Sequence, residues 1–128
     1  MDESERDHIL QSQLQMTAAT WSQLQKSGAS EETPLSVDLF FVAATESEAR
    51  AVASELASAR GLQASVGPAE DSFNIEATLP SQHLSAALLQ ELTQEMCQIG
   101  FRHNAKFDGW GAMIPRRKAA TKPWWRFW

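Results

Sequence analysis

Residues 35–48 read LSVDLFFVAATESE, and this stretch decides how the rest of the chain can fold. Apolar residues first alternate with polar ones and then run together to Ala43, which is typical of a strand with one fully buried face. Thr45 and Glu48 then have the form of a capping box, in which each side chain bonds to the other residue's amide. The stretch therefore predicts a buried strand followed directly by a helix, which we expect to end at Gly61.

Downstream of that helix, the pattern predicts an antiparallel hairpin. Strands are expected over about residues 62–66 and 73–79, and the second alternates strictly between apolar and polar side chains. The connection between them, residues 67–72, is rich in turn-forming residues. Apolar residues at helical spacing then predict a helix over about residues 82–100, opened by Pro80-Ser81 and closed by a glycine, and a last strand follows over about residues 104–113.

An additional helix is predicted at the N-terminus, over about residues 5–27. Its apolar residues recur at spacings that place them on one helical face. These residues are Leu10, Leu14, Trp21 and Leu24. The whole order is then a helix followed by β-α-β-β-α-β, which is the split βαβ or ferredoxin-like arrangement. We therefore predict an α+β fold in which a four-stranded antiparallel sheet carries the two later helices on one face.

These patterns describe a single domain, residues 1–114, and a C-terminal tail, residues 115–128. A chain of 128 residues can bury a substantial core without disulfide bonds. The predicted core residues are Trp21, Leu24, Leu39, Phe41, Val52, Leu56, Ile75, Leu79, Leu88, Leu92, Met96, Ile99, Phe107 and Trp110.

Composition and charge indicate where in the cell the protein is located and which kind of partner it attracts. A single cysteine rules out an intramolecular disulfide, and no apolar run approaches the roughly 20 residues of a membrane span. Since the first residues are acidic, unlike a secretory signal, we expect a cytoplasmic protein. Residues 1–111 carry a net charge of −10 and residues 112–128 one of +5. An acidic body repels nucleic acid at long range and attracts basic partners.

No arrangement of residues in the sequence predicts catalysis, a metal site or a cofactor. His8, His83 and His103 are scattered and lack the short spacing of zinc ligands. Cys97 lies among core positions of a predicted helix, as a buried inert thiol would. The sequence contains neither a phosphate-binding glycine loop nor a nucleophile elbow. We therefore predict that the protein is not an enzyme.

The most distinctive motif is FDGWG, residues 107–111, in the last predicted strand. Two glycines beside a tryptophan weaken a strand and so require a structural or functional reason. One interpretation is a bulge or a close approach of the backbone. The other is a binding site that presents a carboxylate and an aromatic surface, since tryptophan is enriched at interface hot spots. The predicted protein-binding residues, from this motif and from solvent-facing strand positions, are Asp38, Glu76, Asp108 and Trp110.

The C-terminal tail is basic and rich in tryptophan, and four of its last five residues are aromatic. Three interpretations are open. The tail can fold back over the acidic body or the open sheet face, extend as an arm that binds nucleic acid or an anionic membrane surface, or act as a protein-docking peptide. The predicted interaction residues of the tail are Arg116, Arg117, Lys118, Trp124, Trp125, Arg126 and Trp128.

Three segments of the chain resemble the regulator of ribonuclease E activity B family. They are residues 24–30 (LQKSGAS), residues 42–49 (VAATESEA) and the FDGWG motif, which is the most specific of the three. The resemblance runs from roughly residue 10 to residue 114. It implies a ferredoxin-like fold and a non-catalytic inhibitor whose partner is ribonuclease E or a degradosome component. The basic tail departs from the long acidic extension that members of this family can carry.

Binding of RNA by the sheet is a competing function, because RRM domains also use a four-stranded sheet as an RNA platform. Phe40, Phe41 and Phe73 lie on predicted central strands. However, residues 71–77 carry acidic side chains and lack the basic-aromatic pattern of an RNA-binding strand. We therefore expect no nucleic acid on the sheet, whereas the tail can bind it separately.

Overall fold

A computed structural model describes residues 2–113 as three helices and four strands. In chain order they are α1 (Glu3–Lys26), β1 (Pro34–Ala43), α2 (Glu46–Arg60), β2 (Ala64–Pro68), β3 (Phe73–His83), α3 (Ala86–Arg102) and β4 (Lys106–Ala112). The strands form one sheet in the order β2-β3-β1-β4, and each neighbouring pair is antiparallel. This confirms the predicted α+β fold, with β-α-β-β-α-β following the N-terminal helix. The tail residues singled out above lie outside the described residues.

The alternating sequence of β1 places this strand at the centre of the core. Its buried side chains are Leu35, Val37, Leu39, Phe41 and Ala43. The ring of Phe41 packs against that of Phe107 on β4, with ring centroids 5.1 Å apart. Helices α2 and α3 cover this face of the sheet. On the opposite face, the side chains at the centre of β1 are exposed among the described residues. The predicted core residues are buried except Leu24 and Leu88.

Helix α2 begins with the predicted capping box. The Thr45 hydroxyl accepts from the Glu48 amide at 3.2 Å and donates to the Glu48 carboxylate at 3.0 Å. The helix ends at Gly61, whose left-handed backbone is the conformation expected of a C-terminal glycine. Both ends of α2 were therefore predictable from local sequence.

Helix α1 is present, but its buried stripe differs from the predicted one. The buried residues, spaced four apart, are Ile9, Gln13, Thr17 and Trp21. Leu10 and Leu24 are only partly buried against the core. The helix packs on α3 and along β4, so it shields the edge of the sheet. Two polar residues occupy the middle of this buried stripe. A search for regularly spaced apolar residues therefore identifies the neighbouring face of the helix as the buried one.

Strand β3 continues to His83, whereas the sequence predicted that Pro80 and Ser81 open a helix. The register between β1 and β3 shifts here, so that Pro80 and Ser81 together lie opposite Ser36. An extra residue of this kind is a β-bulge, and a bulge tolerates proline because no ladder bond is required from its nitrogen. The helix prediction was therefore wrong at this boundary.

Helix α3 begins only at Ala86. The Ser85 hydroxyl caps it by accepting from the Leu88 amide at 3.1 Å. The buried face of α3 also differs from the predicted one. Leu89 is fully buried, whereas Leu88, a predicted core residue, is 36% exposed.

Helix α3 also runs past Gly100, where the sequence predicted its end. A Cβ at Gly100 would lie 3.0 Å from the Ala105 carbonyl oxygen and 3.3 Å from the Phe107 nitrogen. Glycine is therefore needed here for a close approach of the backbone, not as a helix stop. The helix ends instead at Arg102, and Asn104 adopts the left-handed conformation, with a φ of +55°. Strand β4 consequently starts two residues later than predicted, as does β2.

Charged side chains join α2 to α3. Glu55 forms an ion pair with Arg102 and lies 2.7 Å from the His103 Nε2 atom, and Arg60 pairs with Glu95 at 2.6 Å. Hydrogen bonding from Arg102, followed by that from His103, lowers the pKa of Glu55. Hydrogen bonding from Arg60 lowers the pKa of Glu95 in the same way. Both carboxylates therefore stabilise the folded chain in their ionised form.

These pairs predict that the domain loses stability in acid. A carboxyl group whose pKa is lower in the folded chain contributes stability above its unfolded pKa, and this contribution is lost as the pH falls through the folded value. We therefore expect the free energy of unfolding to decline as the pH falls below the ordinary glutamate value of 4.5. Urea unfolding between about pH 6 and pH 3 measures the decline. Glu55→Gln should reduce this dependence of the free energy of unfolding on pH more than Glu91→Gln, a control at an exposed position on α3. An equal dependence on pH in the two variants would contradict a stabilising role of the ionised Glu55.

Candidate protein-binding surface

The FDGWG motif forms a bulge in β4. Phe40 of β1 lies opposite both Asp108 and Gly109, so β4 contains one extra residue here. Gly109 has a φ of +122°, a conformation that glycine adopts readily. The extra residue lets Phe107 and Trp110, three positions apart, both turn towards the core, whereas regular alternation would place them on opposite faces. The bulge interpretation of the motif is therefore confirmed.

Trp110 belongs to the core. It is 9% exposed, and its indole N–H donates to the Thr17 hydroxyl at 3.1 Å. The Thr17 hydroxyl lies 2.6 Å from that of Thr93, which donates to the Leu89 carbonyl at 2.8 Å. These bonds form one continuous chain if Thr17 donates to Thr93, and the chain joins β4 to α1 and α3. Trp110 thus positions neighbouring elements, and its aromatic surface is not exposed to a partner as the sequence predicted.

The other three predicted binding residues share the open face of the sheet. Asp38 on β1, Glu76 on β3 and Asp108 on β4 are all exposed. Glu76 pairs with Phe40 on one side, and Asp108 lies opposite Phe40 on the other. Asp38 is two residues along β1 from Phe40 and therefore points to the same face, about 7 Å away. We call Asp38, Phe40, Glu76 and Asp108 together the acidic face.

The acidic face combines an apolar centre with a charged rim. Phe40 is 36% exposed, and it is the aromatic centre that the carboxylates surround. The Asp38 carboxylate accepts from the Thr78 hydroxyl at 2.8 Å, which orients it on the face. Lys106 is exposed nearby on β4, so one positive charge accompanies three negative ones along these strands. An apolar centre within a polar rim is the usual arrangement of a protein interface.

A small cleft adjoins the acidic face where α1 meets the bulge. It measures about 110 Å³, and its walls include Gln13, Met16 and Thr20 of α1. Phe40 and Asp108 of the acidic face complete the rim. Sequence reasoning missed the polar residues of α1, because it ranked helix positions by apolar character. The signal that points to them is the four-residue spacing from Ile9 to Trp21.

The histidine, cysteine and carboxylate side chains of the described residues are not grouped as a metal site would require. Within residues 2–113, no three histidine, cysteine, aspartate or glutamate side chains cluster as metal ligands. Cys97 is buried, as predicted, and burial raises the pKa of its thiol to about 11, which disfavours the reactive thiolate. None of the helices in the same range is long and apolar enough to cross a membrane.

Most of the chain matches the model of a known protein family. A family model described as regulator of ribonuclease activity B matches residues 14–112. The matched region contains all four strands described above and the bulge of β4. A comparison with curated proteins found no match. Since the family model covers most of the chain, the resemblance seen in the sequence is confirmed, and the chain belongs to the regulator of ribonuclease activity B family.

Proposed function

We propose that this chain is a non-catalytic regulator that binds ribonuclease E, or a component of its degradosome, and lowers the rate of RNA cleavage. Membership of a family of ribonuclease regulators supports the regulatory role. The observation that carries the mode of action is the acidic face, where three carboxylates from neighbouring strands surround an exposed phenylalanine. We infer that this face binds an arginine- and lysine-rich segment of the enzyme.

Charge complementarity supports a basic partner segment. Residues 1–111 carry a net charge of −10, and opposite potentials accelerate the encounter of two proteins more than they tighten the complex. Phe40 supplies the apolar contact that long-lived binding requires, since aromatic anchors carry much of the energy of an interface. The carboxylates of the face are exposed, as charged groups are in the solvated rim of a protein interface. The face is therefore suited to docking.

Titration of purified ribonuclease E with the full chain tests this proposal. We expect the initial rate of cleavage of a labelled RNA to fall to a plateau when chain and enzyme reach equal amounts. Binding measured by calorimetry should weaken as salt is added, because salt screens exposed charges. An unchanged rate at saturating chain concentrations would contradict the proposal.

A control separates enzyme binding from capture of the RNA by the basic tail. The RNA is held in large excess over the chain, so that the tail can occupy only a small fraction of the substrate. Inhibition that follows the ratio of chain to enzyme supports the proposal. Inhibition that follows the ratio of chain to RNA would show that the tail sequesters the substrate, and the proposed mode of action would be wrong.

A further inference from the structure

The cleft beside the acidic face contains a buried polar atom that the fold leaves unpaired. Gln13 is 5% exposed, and its Oε1 atom has no hydrogen-bond partner within the described residues. Buried polar atoms are nearly always paired, and an unpaired one destabilises the folded state. An acceptor kept in such a position therefore points to a ligand that supplies a donor.

The surroundings of Gln13 restrict the chemistry of that ligand. Asp108 on the opposite rim of the cleft is exposed and adds a carboxylate, so the cleft favours a cation and disfavours an anion. Phe40 and Met16 supply apolar walls, and both are partly exposed. The cleft thus combines two acceptors with an aromatic ring and a thioether in a volume of about 110 Å³.

We propose that this cleft receives an arginine side chain from the basic segment of the ribonuclease, an inference that rests on the function proposed above. The guanidinium group carries five donors and no acceptor, so it can bond to the Asp108 carboxylate and the Gln13 oxygen at once. Its plane stacks on the Phe40 ring, which a lysine ammonium cannot do as well. The acidic face attracts basic segments in general, and the cleft selects arginine among them.

The Gln13 oxygen is buried in this structure, so a ligand would reach it through a movement of the cleft wall, for which Met16 is the flexible side chain. Met16 is 50% exposed on the cleft wall, and its unbranched chain changes rotamer readily. On the opposite side of the cleft, Gly109 of the bulge carries no side chain that could fill the space. A Cβ at this position would lie 3.8 Å from the Gln13 oxygen. The FDGWG motif therefore contributes to the cleft as well as to the core.

Binding of hexa-arginine and hexa-lysine peptides to the full chain tests the proposal. The two peptides have equal charge, so a difference in affinity reports more than electrostatic attraction. We expect the arginine peptide to bind about fivefold to tenfold more tightly, the ratio produced by about one additional net hydrogen bond. Gln13→Met, which replaces the amide by an apolar group of similar length, should remove this preference. The same variant should raise the thermal midpoint, because it removes an unpaired buried acceptor.

Two further variants make the result unambiguous. Met16→Lys places an ammonium group of the chain itself beside the cleft, so it should also abolish the arginine preference even if Gln13→Met fails to fold. Asp38→Asn, on the acidic face but outside the cleft, should weaken both peptides alike and leave their ratio unchanged.

The outcomes separate this inference from the proposed function. Equal affinities of the two peptides for both cleft variants, together with weaker ribonuclease binding, would support the arginine site. A ratio that the cleft variants do not change would overturn the site, while ribonuclease binding that persists would leave the proposed function intact. Absence of ribonuclease binding by the unmodified chain would overturn the function itself.

Discussion

Replacing Phe107 by alanine should lower the free energy of unfolding by about 3–5 kcal/mol. Phe107 is fully buried, and its ring lies 5.1 Å from that of Phe41 at the centre of the sheet. Truncation removes the burial of the ring and leaves a cavity that the surrounding strands cannot fill. Denaturant unfolding followed by circular dichroism measures the loss, which is a large part of the 5–15 kcal/mol that stabilises a typical domain.

Phe40→Ala is the matched control for this substitution. Phe40 occupies the same sheet but is 36% exposed on the open face. Its truncation should therefore cost about 1 kcal/mol, well below the loss at Phe107. Equal losses for the two variants would show that the core does not lie on the assigned side of the sheet.

Reversing the three carboxylates of the acidic face should weaken binding to the ribonuclease by about a hundredfold, which corresponds to roughly 3 kcal/mol. The variant is Asp38→Lys, Glu76→Lys, Asp108→Lys. Loss of exposed ion pairs alone has a small effect, but the reversal also places like charges against the basic segment, which costs several kcal/mol. The dissociation constant from calorimetry at constant salt measures the change, and inhibition of RNA cleavage should decline in parallel.

A second triple variant controls for net charge. Glu31→Lys, Glu32→Lys, Glu91→Lys changes the charge of the chain by the same amount at exposed positions away from the acidic face. It should slow association modestly and leave the complex close to its original affinity. If both variants weaken binding equally, the overall charge of the chain rather than the acidic face determines recognition. Thermal unfolding of both variants verifies that each still folds.

The fold was predictable wherever a side chain's role depends on its neighbours in the sequence. The alternation of β1 and the capping box at Thr45 and Glu48 need only local spacing to be recognised. The bulge in β4 was also foreseeable, since Phe107 and Trp110 are spaced by three with a glycine between them. A regular strand cannot bury both of these residues.

Other features depend on contacts that local sequence does not reveal. Thr17 is buried because it meets Trp110 and Thr93, which are 93 and 76 residues away in the chain. A pattern search that looks for apolar stripes cannot find such a polar contact. The extension of β3 through Pro80 likewise depends on a register shift relative to β1.

The candidate site was predictable only in part. Asp38 and Glu76 were predicted from solvent-facing strand positions and Asp108 from the FDGWG motif, and all three are exposed. Their grouping around Phe40 required the strand order, which places β1 between β3 and β4. The cleft at Gln13 required the docking position of α1, which no local pattern specifies.

Carbodiimide cross-linking of the chain to ribonuclease E, followed by mass spectrometry, tests the central claim most directly, because the reagent joins carboxylates to lysines only where they touch. We predict cross-links from Asp38, Glu76 and Asp108 to lysines within a basic segment of the enzyme. Cross-links confined to carboxylates of the helical side, such as Glu91, would contradict docking through the acidic face.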